Sequence, residues 1–422
     1  MTFSIAPLFP DWHTAHEART GGRAVLAQAL TAARERTLAL FSAYETALRP
    51  VGMAVPCTAE LNPPLWELGH VGWFQSWWLA RNPQRGLGAA CDPDAVRAPS
   101  RVAGADALYN SSLVPHDTRW QLPLPGAEAT RADLQAGFGD TLALLAASAE
   151  DDASLYFFRL ALFHEDMHAE AAVYMAQALG IGLPAESAFP SRRRGAPPPA
   201  GTSVLAIPAR TWTLGSACGG FAFDNELGTH AVALAAFEID ATPVTWARYL
   251  PFVEAGGYRD ARWWSPEGWH WLQGAGRGMQ VPRYLRREDG GGWSGAQFGA
   301  WQPLDAQAPA VHLSGFEADA WCRWAGRRLP TEAEWECAAM TQPQFQWGAV
   351  WDWTASPFEP YPGFAPHPYR DYSAPWFGTR RVLRGASVAT SPRMTHPKYR
   401  NFFTPERNDI HAGFRSCALD AG

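Results

Sequence analysis

Residues 191–203, SRRRGAPPPAGTS, separate two halves of the chain that have different sequence patterns. Three consecutive prolines between glycines cannot continue a helix or a central strand. With 422 residues, the chain is long enough to bury two hydrophobic cores. We therefore predict a first domain at 1–190, a linker at 191–203 and a second domain at 204–422.

The two halves differ in the secondary structure that they predict. Helical periodicity and helix-favouring residues predict four helices in the first half, at 21–48, 65–80, 131–149 and 153–179. Four such helices fit a bundle. The second half contains 15 of the 21 Trp, short apolar runs broken by Gly, Pro, Asn and Asp, and two helical patterns, near 243–254 and 315–326. The predicted fold class is a two-domain α+β protein.

Charge and composition exclude several classes of function. A formal net charge of -6 gives no general attraction to nucleic acid or to an anionic membrane. No run of about 18 apolar residues occurs, and the N-terminal stretch lacks the pattern of a secretory signal. The six cysteines form no C-x-x-C pair, which argues against a zinc–cysteine site and a dense disulfide framework. We expect a cytoplasmic protein with reduced thiols and no nucleic-acid or membrane partner.

A pair of histidines in LFHEDMHAE has the spacing of metal ligands. His164 and His168 are four residues apart, so on a helix they lie one above the other on one face. That face continues through apolar residues, which turns it towards the bundle interior. Burying two imidazoles without partners costs free energy, and coordination of one ion satisfies both. The spacing therefore predicts a metal site.

The third ligand is expected from another helix. His70 shares its predicted helical face with several aromatic residues in PPLWELGHVGWFQSWW and points inward; His116, in a loop, is the reserve candidate. Three neutral imidazoles suit Fe(II), and also Zn(II) or Cu(II). The same residues match H-E-x-x-H, in which the glutamate is the base of a zinc hydrolase. Helical periodicity turns Glu165 away from the two histidines by about 100°, which disfavours that alternative.

Several segments of the second half resemble a known domain. AGRRLPTEAEWE at 325–336, together with VWDWTASPF at 350–358, RVLRGAS at 381–387 and AGFR at 412–415, is similar to the formylglycine-generating-enzyme domain, which has a C-type-lectin-like fold. A helical bundle of DinB type with one histidine followed by HxxxH, joined to this domain, resembles the ergothioneine sulfoxide synthases across the whole chain. That resemblance implies Fe(II) held by His70, His164 and His168, O2 as co-substrate, and hercynine as the acceptor.

Departures from that family concern the chalcogen donor. Where the sulfur enzymes carry approximately Arg-Asn-Trp-Asp before AGFR, this chain has Arg400, Asn401, Phe402 and Phe403. The resemblance implies that Asn401 contacts hercynine, while Phe403 replaces the aspartate that helps to bind an amino-acid thiol. Met167 likewise replaces a family glutamine.

These departures, together with YNSSLVPHDTRW at 109–120, make the chain most similar to the selenoneine synthase branch, in which a selenosugar is the donor. Aromatic faces at Phe402 and Phe403 suit a sugar, and Arg119 is a candidate for binding a carboxylate or a phosphate. The family also uses a tyrosine as a proton donor near the iron, which implies Tyr369 or Tyr372, with Tyr361 as a fallback. Two other functions stay open: C–S bond formation on hercynine, and non-catalytic binding by a lectin-like domain.

Overall fold

The computed structural model describes residues 12–191 and 204–419, and its first segment is helical. We call residues 12–191 the helical region and residues 204–419 the sheet region. The helical region contains α1 (His13–Thr20), α2 (Arg23–Leu48), α3 (Pro64–Trp78), α4 (Ala105–Tyr109), α5 (Ala127–Ala147), α6 (Asp152–Leu179) and α7 (Ala185–Ala188). Short 3-10 helices occupy Arg49–Val51, Arg85–Ala90 and His116–Gln121. All four helices that the sequence predicts are present, as α2, α3, α5 and α6.

Helix α6 is the longest helix of the described residues, with 28 residues, and its two ends follow from local chemistry. The Asp151 carboxylate accepts a hydrogen bond from the backbone N–H of Ser154, which caps the first turn. Gly180 ends the helix in the left-handed conformation, with φ of 68°. Helix α6 packs against α2 and α3, and α3 packs against α5. The interior of this bundle is where the histidine pair of α6 faces α3.

The sheet region consists of small sheets and short helices. Its strands are β1 (Val204–Ile207), β2 (Arg210–Leu214), β3 (His230–Leu234), β4 (Phe237–Asp240), β5 (Leu285–Arg287), β6 (Trp293–Gln297), β7 (Ala300–Pro303), β8 (Arg327–Arg328), β9 (Trp351–Pro357), β10 (Arg381–Gly385), β11 (Asn401–Phe403), β12 (Ala412–Phe414) and β13 (Cys417–Ala418). Its helices are α8 (Trp246–Glu254), α9 (Pro266–Gln273), α10 (Gly315–Trp324) and α11 (Glu332–Thr341).

The strands pair mainly in antiparallel fashion. Two four-stranded sheets have the orders β1-β4-β13-β8 and β11-β10-β9-β12; β2 and β3 form a pair, and β5, β6 and β7 form a three-stranded sheet. Only β9 and β12 pair in parallel among the described strands. The helical first half and this sheet-containing second half confirm the predicted α+β class. The division into domains remains a prediction, because the expected linker, apart from Ser191, lies outside the described residues.

The two helices predicted in the second half are present as α8 and α10, but the sheet region has two more among its described residues. Helices α9 and α11 were missed, although both begin with recognisable caps. Ser265 accepts a hydrogen bond from the backbone of Gly268, and Pro266 follows it at the first helical position. Thr331 and Glu334 form a capping box at the start of α11. Both helices are short, and their residues do not form a long apolar stripe, so periodicity alone does not reveal them.

Helix α6 joins the two regions through its acidic side chains. The Arg393 guanidinium donates to both carboxylate oxygens of Asp166, at 2.9 and 2.7 Å. Glu170 accepts hydrogen bonds from the Trp351 indole at 2.7 Å and from the hydroxyls of Ser387 and Thr390, each at 2.9 Å. These contacts fix the helix that carries two histidines against the sheet region. No helix in the described part of the chain is long and apolar enough to cross a membrane.

Candidate metal centre

The three histidines predicted as ligands meet in the bundle interior. The Nε2 atom of His164 lies 3.2 Å from Nε2 of His70 and 3.2 Å from Nε2 of His168. The three ligand atoms all lie within 4.8 Å of one another. His70 and His164 are each 2% exposed, and His168 is partly buried. We call these three residues the histidine cluster.

Hydrogen bonds to two of the rings fix which nitrogen faces the centre. Nδ1 of His70 is 2.8 Å from the carbonyl oxygen of Tyr109, and Nδ1 of His168 is 2.6 Å from Oε2 of Glu67. Both partners are acceptors, so each Nδ1 carries the proton and donates it. The Nε2 atoms of these rings therefore present lone pairs to the centre, as metal ligation requires.

Burial keeps His70 and His164 uncharged. Desolvation, reinforced by the neighbouring His168, lowers the pKa of His70 to about 3. The same two causes, with His70 adding to them, lower the pKa of His164 well below its ordinary value. Both imidazoles are therefore neutral at neutral pH, which is the protonation state in which histidine binds metals.

The spacing of the cluster fits one metal ion. With metal–nitrogen bonds of about 2.0–2.1 Å, two cis ligands at a right angle are about 3.0 Å apart, and two at the tetrahedral angle about 3.4 Å apart. The two separations from His164, each 3.2 Å, lie between these values, and the His70–His168 pair lies within 4.8 Å. Three imidazoles on one side of an ion leave other coordination positions open, which suits substrate or O2 binding. The residues present thus fit the Fe(II) that the sequence resemblance implies.

Aromatic rings hold the ligand rings in place. Trp66 stacks on His70 with ring centroids 4.6 Å apart, and Phe74 stacks on His164 with centroids 3.5 Å apart and planes 1° apart. The Tyr369 ring lies edge-on to His164, at 6.2 Å. This packing restricts rotation of the imidazoles and excludes water from their faces.

The glutamate of the H-E-x-x-H motif is engaged elsewhere. Glu165 is 1% exposed, and its two oxygens accept hydrogen bonds from Nε and Nη2 of Arg34, at 2.8 and 3.1 Å. A carboxylate held in this way, and turned from the histidine cluster, is poorly placed to take a proton from a metal-bound water. The geometry therefore argues against a zinc hydrolase of the H-E-x-x-H class.

The predicted tyrosines occupy different surroundings. The Tyr369 ring contacts Phe74 at 4.9 Å as well as His164, and among the described residues its hydroxyl has no hydrogen-bond partner. Burial raises the pKa of Tyr369 further above its ordinary value, so the hydroxyl stays protonated. The Tyr372 hydroxyl is 2.9 Å from that of Tyr399. Tyr361, the fallback, donates to Glu332 at 3.0 Å.

The other predicted substrate residues lie on or near β11. Phe402 stacks on Phe358 at 4.0 Å and approaches Tyr372 at 5.8 Å. Asn401 and Phe403 flank Phe402 and therefore point to the opposite side of the strand. The Asn401 amide oxygen accepts the backbone N–H of Phe402 at 2.9 Å.

Neither Met167 nor His116 adds a ligand to the cluster. The Met167 sulfur accepts a hydrogen bond from the Tyr399 hydroxyl at 3.5 Å. Nε2 of His116, the reserve ligand, lies 2.8 Å from the carbonyl oxygen of Leu61. The structure thus gathers His70, His164 and His168 at one centre and places His116 outside it.

Comparisons with known proteins identify the family. Residues 194–349 and 346–421 match the model of the sulfatase-modifying factor enzyme 1-like domain, which confirms the predicted type of the second half. The chain is 34% identical over 451 residues to a hercynine oxygenase of Mycolicibacterium smegmatis, covering 93% of this chain and 98% of that protein. The chain belongs to the hercynine oxygenase family. A member from Mycobacterium tuberculosis is 33% identical over 84% of this chain and 90% of its own length.

A more distant relative covers a smaller part of the chain. The formylglycine-generating enzyme of Streptomyces coelicolor is 28% identical over 58% of this chain and 97% of that protein. The relatives named as hercynine oxygenases extend over both regions, including the helices that carry the histidine cluster. Membership in the hercynine oxygenase family therefore concerns the whole architecture and not the sheet region alone.

Sequence reasoning missed the group that orients His168. Glu67 lies on α3, three residues before His70, and its Oε1 atom accepts a hydrogen bond from the Asn62 amide at 2.6 Å. Arg119 donates to the Asn62 amide oxygen at 2.8 Å and covers the Trp66 ring at 3.8 Å. Arg119, predicted as a substrate ligand, thus also contacts the residues that support His168 and His70, through Asn62 and Trp66 respectively. The spacing of Glu67 and His70, which places both on one helical face, is a signal that could have revealed this role.

Proposed function

We propose that the chain is an Fe(II)- and O2-dependent oxygenase that joins a chalcogen atom to the imidazole carbon of hercynine, with a selenosugar as donor. The observation that carries the proposal is the histidine cluster, three imidazoles with convergent Nε2 atoms. It occurs in a chain that matches a hercynine oxygenase over 93% of its length.

In this proposal His70, His164 and His168 hold Fe(II), which supplies the means of activating O2 when it is bound. The protein contributes orientation and a dry environment. Trp66, Phe74 and their neighbours exclude water from the ligand rings. An aromatic surrounding also suits the trimethylammonium group of hercynine, because cations are attracted to ring faces.

The reaction balances with O2 as the oxidant. The imidazole C–H and the donor R–XH, where X is selenium or sulfur, each lose one hydrogen as the C–X bond forms. If O2 accepts two electrons, both hydrogens leave in hydrogen peroxide. If O2 accepts four electrons, the hydrogens leave in water and one oxygen atom stays on the chalcogen. The mass of the first product distinguishes these two outcomes.

Tyr369 is the tyrosine that we propose as the proton donor. Its ring contacts His164, its hydroxyl is uncommitted among the described residues, and its pKa is raised by burial. Tyr372 is less suitable, because the Tyr399 hydroxyl donates to Met167 and therefore accepts the Tyr372 proton. We expect Tyr369→Phe to lower kcat by about 10²–10⁴-fold, the usual contribution of a positioned acid. Tyr372→Phe, the matched control, should change it far less.

Phe403 supports the selenosugar over an amino-acid thiol. A phenyl ring offers no counter-charge to an ammonium group, while it provides an apolar face for a sugar. The Arg407 guanidinium covers the Phe403 ring at 5.0 Å and is itself paired with Asp409, so it adds little free charge here. The sulfur reaction with γ-glutamylcysteine is the second candidate, and it rests on the resemblance to the ergothioneine sulfoxide synthases, since the name hercynine oxygenase specifies no donor.

The test is an anaerobic reconstitution with Fe(II) and hercynine, followed by O2. Parallel samples receive either a selenosugar or γ-glutamylcysteine, and mass spectrometry identifies the product. The proposal predicts a selenium product from the selenosugar at a rate well above any sulfur product. A sulfur product from γ-glutamylcysteine alone would overturn the selenium assignment. Absence of product and of O2 consumption with both donors would overturn the enzyme assignment and favour a binding protein.

A further inference from the structure

A cavity lies against the histidine cluster within the helical bundle. It has a volume of about 40 Å³, is half-open, and is lined by residues of α2, α3 and α6. On the same measure a single buried water needs roughly 10–15 Å³. The cavity therefore has room for a small molecule of a few atoms, and it is too small for hercynine or a sugar.

The wall of this cavity is mainly apolar. Nine of its twelve lining residues are aliphatic, aromatic, proline or methionine, among them Leu40, Phe41, Val71, Ala172 and Met175. Apolar walls favour apolar guests such as xenon over water, because water loses hydrogen bonds against them. The wall thus selects against water and ions and for an apolar gas.

Two polar residues connect the cavity with the candidate metal centre. Glu67 and His168 both line it, and they are joined by the 2.6 Å hydrogen bond between Oε2 and Nδ1. Nε2 of the same His168 ring faces the histidine cluster. A guest in the cavity is therefore separated from the centre by little more than one imidazole ring.

We propose that this cavity binds dioxygen beside the metal centre. The inference rests on the proposed O2-dependent function and names the place where that co-substrate is held before reaction. Dioxygen is a small apolar diatomic molecule, which matches both the volume and the wall. A reserve of O2 next to the centre raises its local concentration without any polar contact.

Water is the competing occupant. The Thr37 hydroxyl lines the cavity and, within the described part of the chain, is buried without a hydrogen-bond partner. A buried water usually needs two to four polar partners. Both Glu67 oxygens and Nδ1 of His168 are already engaged with each other or with Asn62. A water here would therefore rely on the Thr37 hydroxyl and on the remaining lone pairs of the Glu67 carboxylate, which reaches only the lower limit of two partners.

The first test is crystallographic. Crystals of the Fe(II)-loaded protein, kept anaerobic and pressurised with xenon, should show one xenon among Leu40, Val71 and Ala172. An ordered water at this place, with no xenon, overturns the proposal. This readout does not depend on catalysis, so it decides the nature of the cavity even if the reaction assay fails.

The second test fills the cavity from two sides. Ala172→Leu on α6 and Leu40→Phe on α2 each add apolar atoms to the wall. Each should raise the KM for O2 by about four- to fivefold, the scale of one small apolar guest. Fe(II) stoichiometry and the KM for hercynine should stay unchanged. Ala178→Leu is the control, since it places the same side chain on α6 away from the cavity wall.

The outcomes of these tests separate the two proposals. An unchanged KM for O2 in both filled variants, with normal Fe(II) content, overturns the dioxygen site and leaves the proposed reaction standing. Absence of product in the wild-type protein overturns the proposed reaction, and xenon then reports on the cavity alone. If one filled variant loses Fe(II), the other variant decides the result. Ala172 lies on α6, which carries His164 and His168, whereas Leu40 lies on α2, which carries none of the predicted ligands.

Discussion

The helical region and the sheet region each bury a polar cluster, and the two clusters differ in how they are satisfied. In the sheet region Glu332 accepts bonds from Arg400 at 2.9 and 3.0 Å, from Arg384 at 2.9 Å and from the Tyr361 hydroxyl. We call these four residues the arginine core. The histidine cluster has no charged partner at its centre, where three Nε2 atoms converge.

The difference between the two clusters indicates which buried polar groups are suited to binding a ligand. In the arginine core opposite charges are paired, and the guanidinium groups of Arg400 and Arg384 hold the pKa of Glu332 below its usual range against the opposing effect of burial. In the histidine cluster like groups face one another, and burial lowers the pKa of His70 and His164 so that both are neutral. In the first arrangement, both carboxylate oxygens of Glu332 are paired with donors from within the protein. The second is the arrangement at which we propose a bound metal cation.

The largest effect on folding should come from breaking the arginine core. The Arg400 guanidinium donates one hydrogen bond to each carboxylate oxygen of Glu332, and Arg400→Met removes both. Because the buried carboxylate then loses its main partner, the substitution should lower the free energy of unfolding by about 3–5 kcal/mol. Urea denaturation of the metal-free protein measures this. Arg131→Met, which removes a partly exposed pair with Glu45, is the control and should cost less than about 1 kcal/mol.

A smaller effect is expected from the hydrogen bond between Glu67 and His168, which orients one ring of the histidine cluster. Glu67→Gln replaces the carboxylate that accepts the His168 proton and should weaken Fe(II) binding by about 10–100-fold. Anaerobic equilibrium titration with a competing chelator measures the affinity. Glu45→Gln changes an α2 carboxylate outside the cluster and should leave affinity unchanged. Equal affinity in Glu67→Gln and wild type would contradict the role assigned to Glu67.

The smallest effect should follow loss of aromatic support. Phe74→Leu removes the ring stacked on His164, an interaction worth about 0.5–1.5 kcal/mol, and should weaken Fe(II) binding by roughly two- to tenfold. The same titration measures it. A loss as large as that of Glu67→Gln would mean that packing, and not the hydrogen bond to Nδ1, sets the ligand geometry.

Local pattern revealed the helices and the ligand candidates. The four long helices follow from periodicity, and His164 and His168 follow from a four-residue spacing on an apolar face. The family resemblance to a formylglycine-generating-enzyme domain was also visible in short segments such as RLPTEAEWE. These features depend on residues that are close in the chain.

Long-range contacts could not be read from one sequence. Tyr399 joins Tyr372 to Met167, and Arg393 binds Asp166 across more than 200 residues. Such contacts depend on how the sheet region packs on α6, which periodicity does not encode. Helix α11, in contrast, does not depend on long-range contacts for its prediction. Thr331 and Glu334 form a capping box, a local signal that predicts the start of a helix at this position.

The most direct test of the central claim is the Fe(II) stoichiometry of the reconstituted protein. Wild type should bind one Fe(II) per chain, and His164→Ala should bind none, because it removes the nitrogen that lies 3.2 Å from both other ligand atoms. His116→Ala, outside the cluster, should bind one. Full Fe(II) content in His164→Ala would contradict the assignment of His70, His164 and His168 as the metal centre.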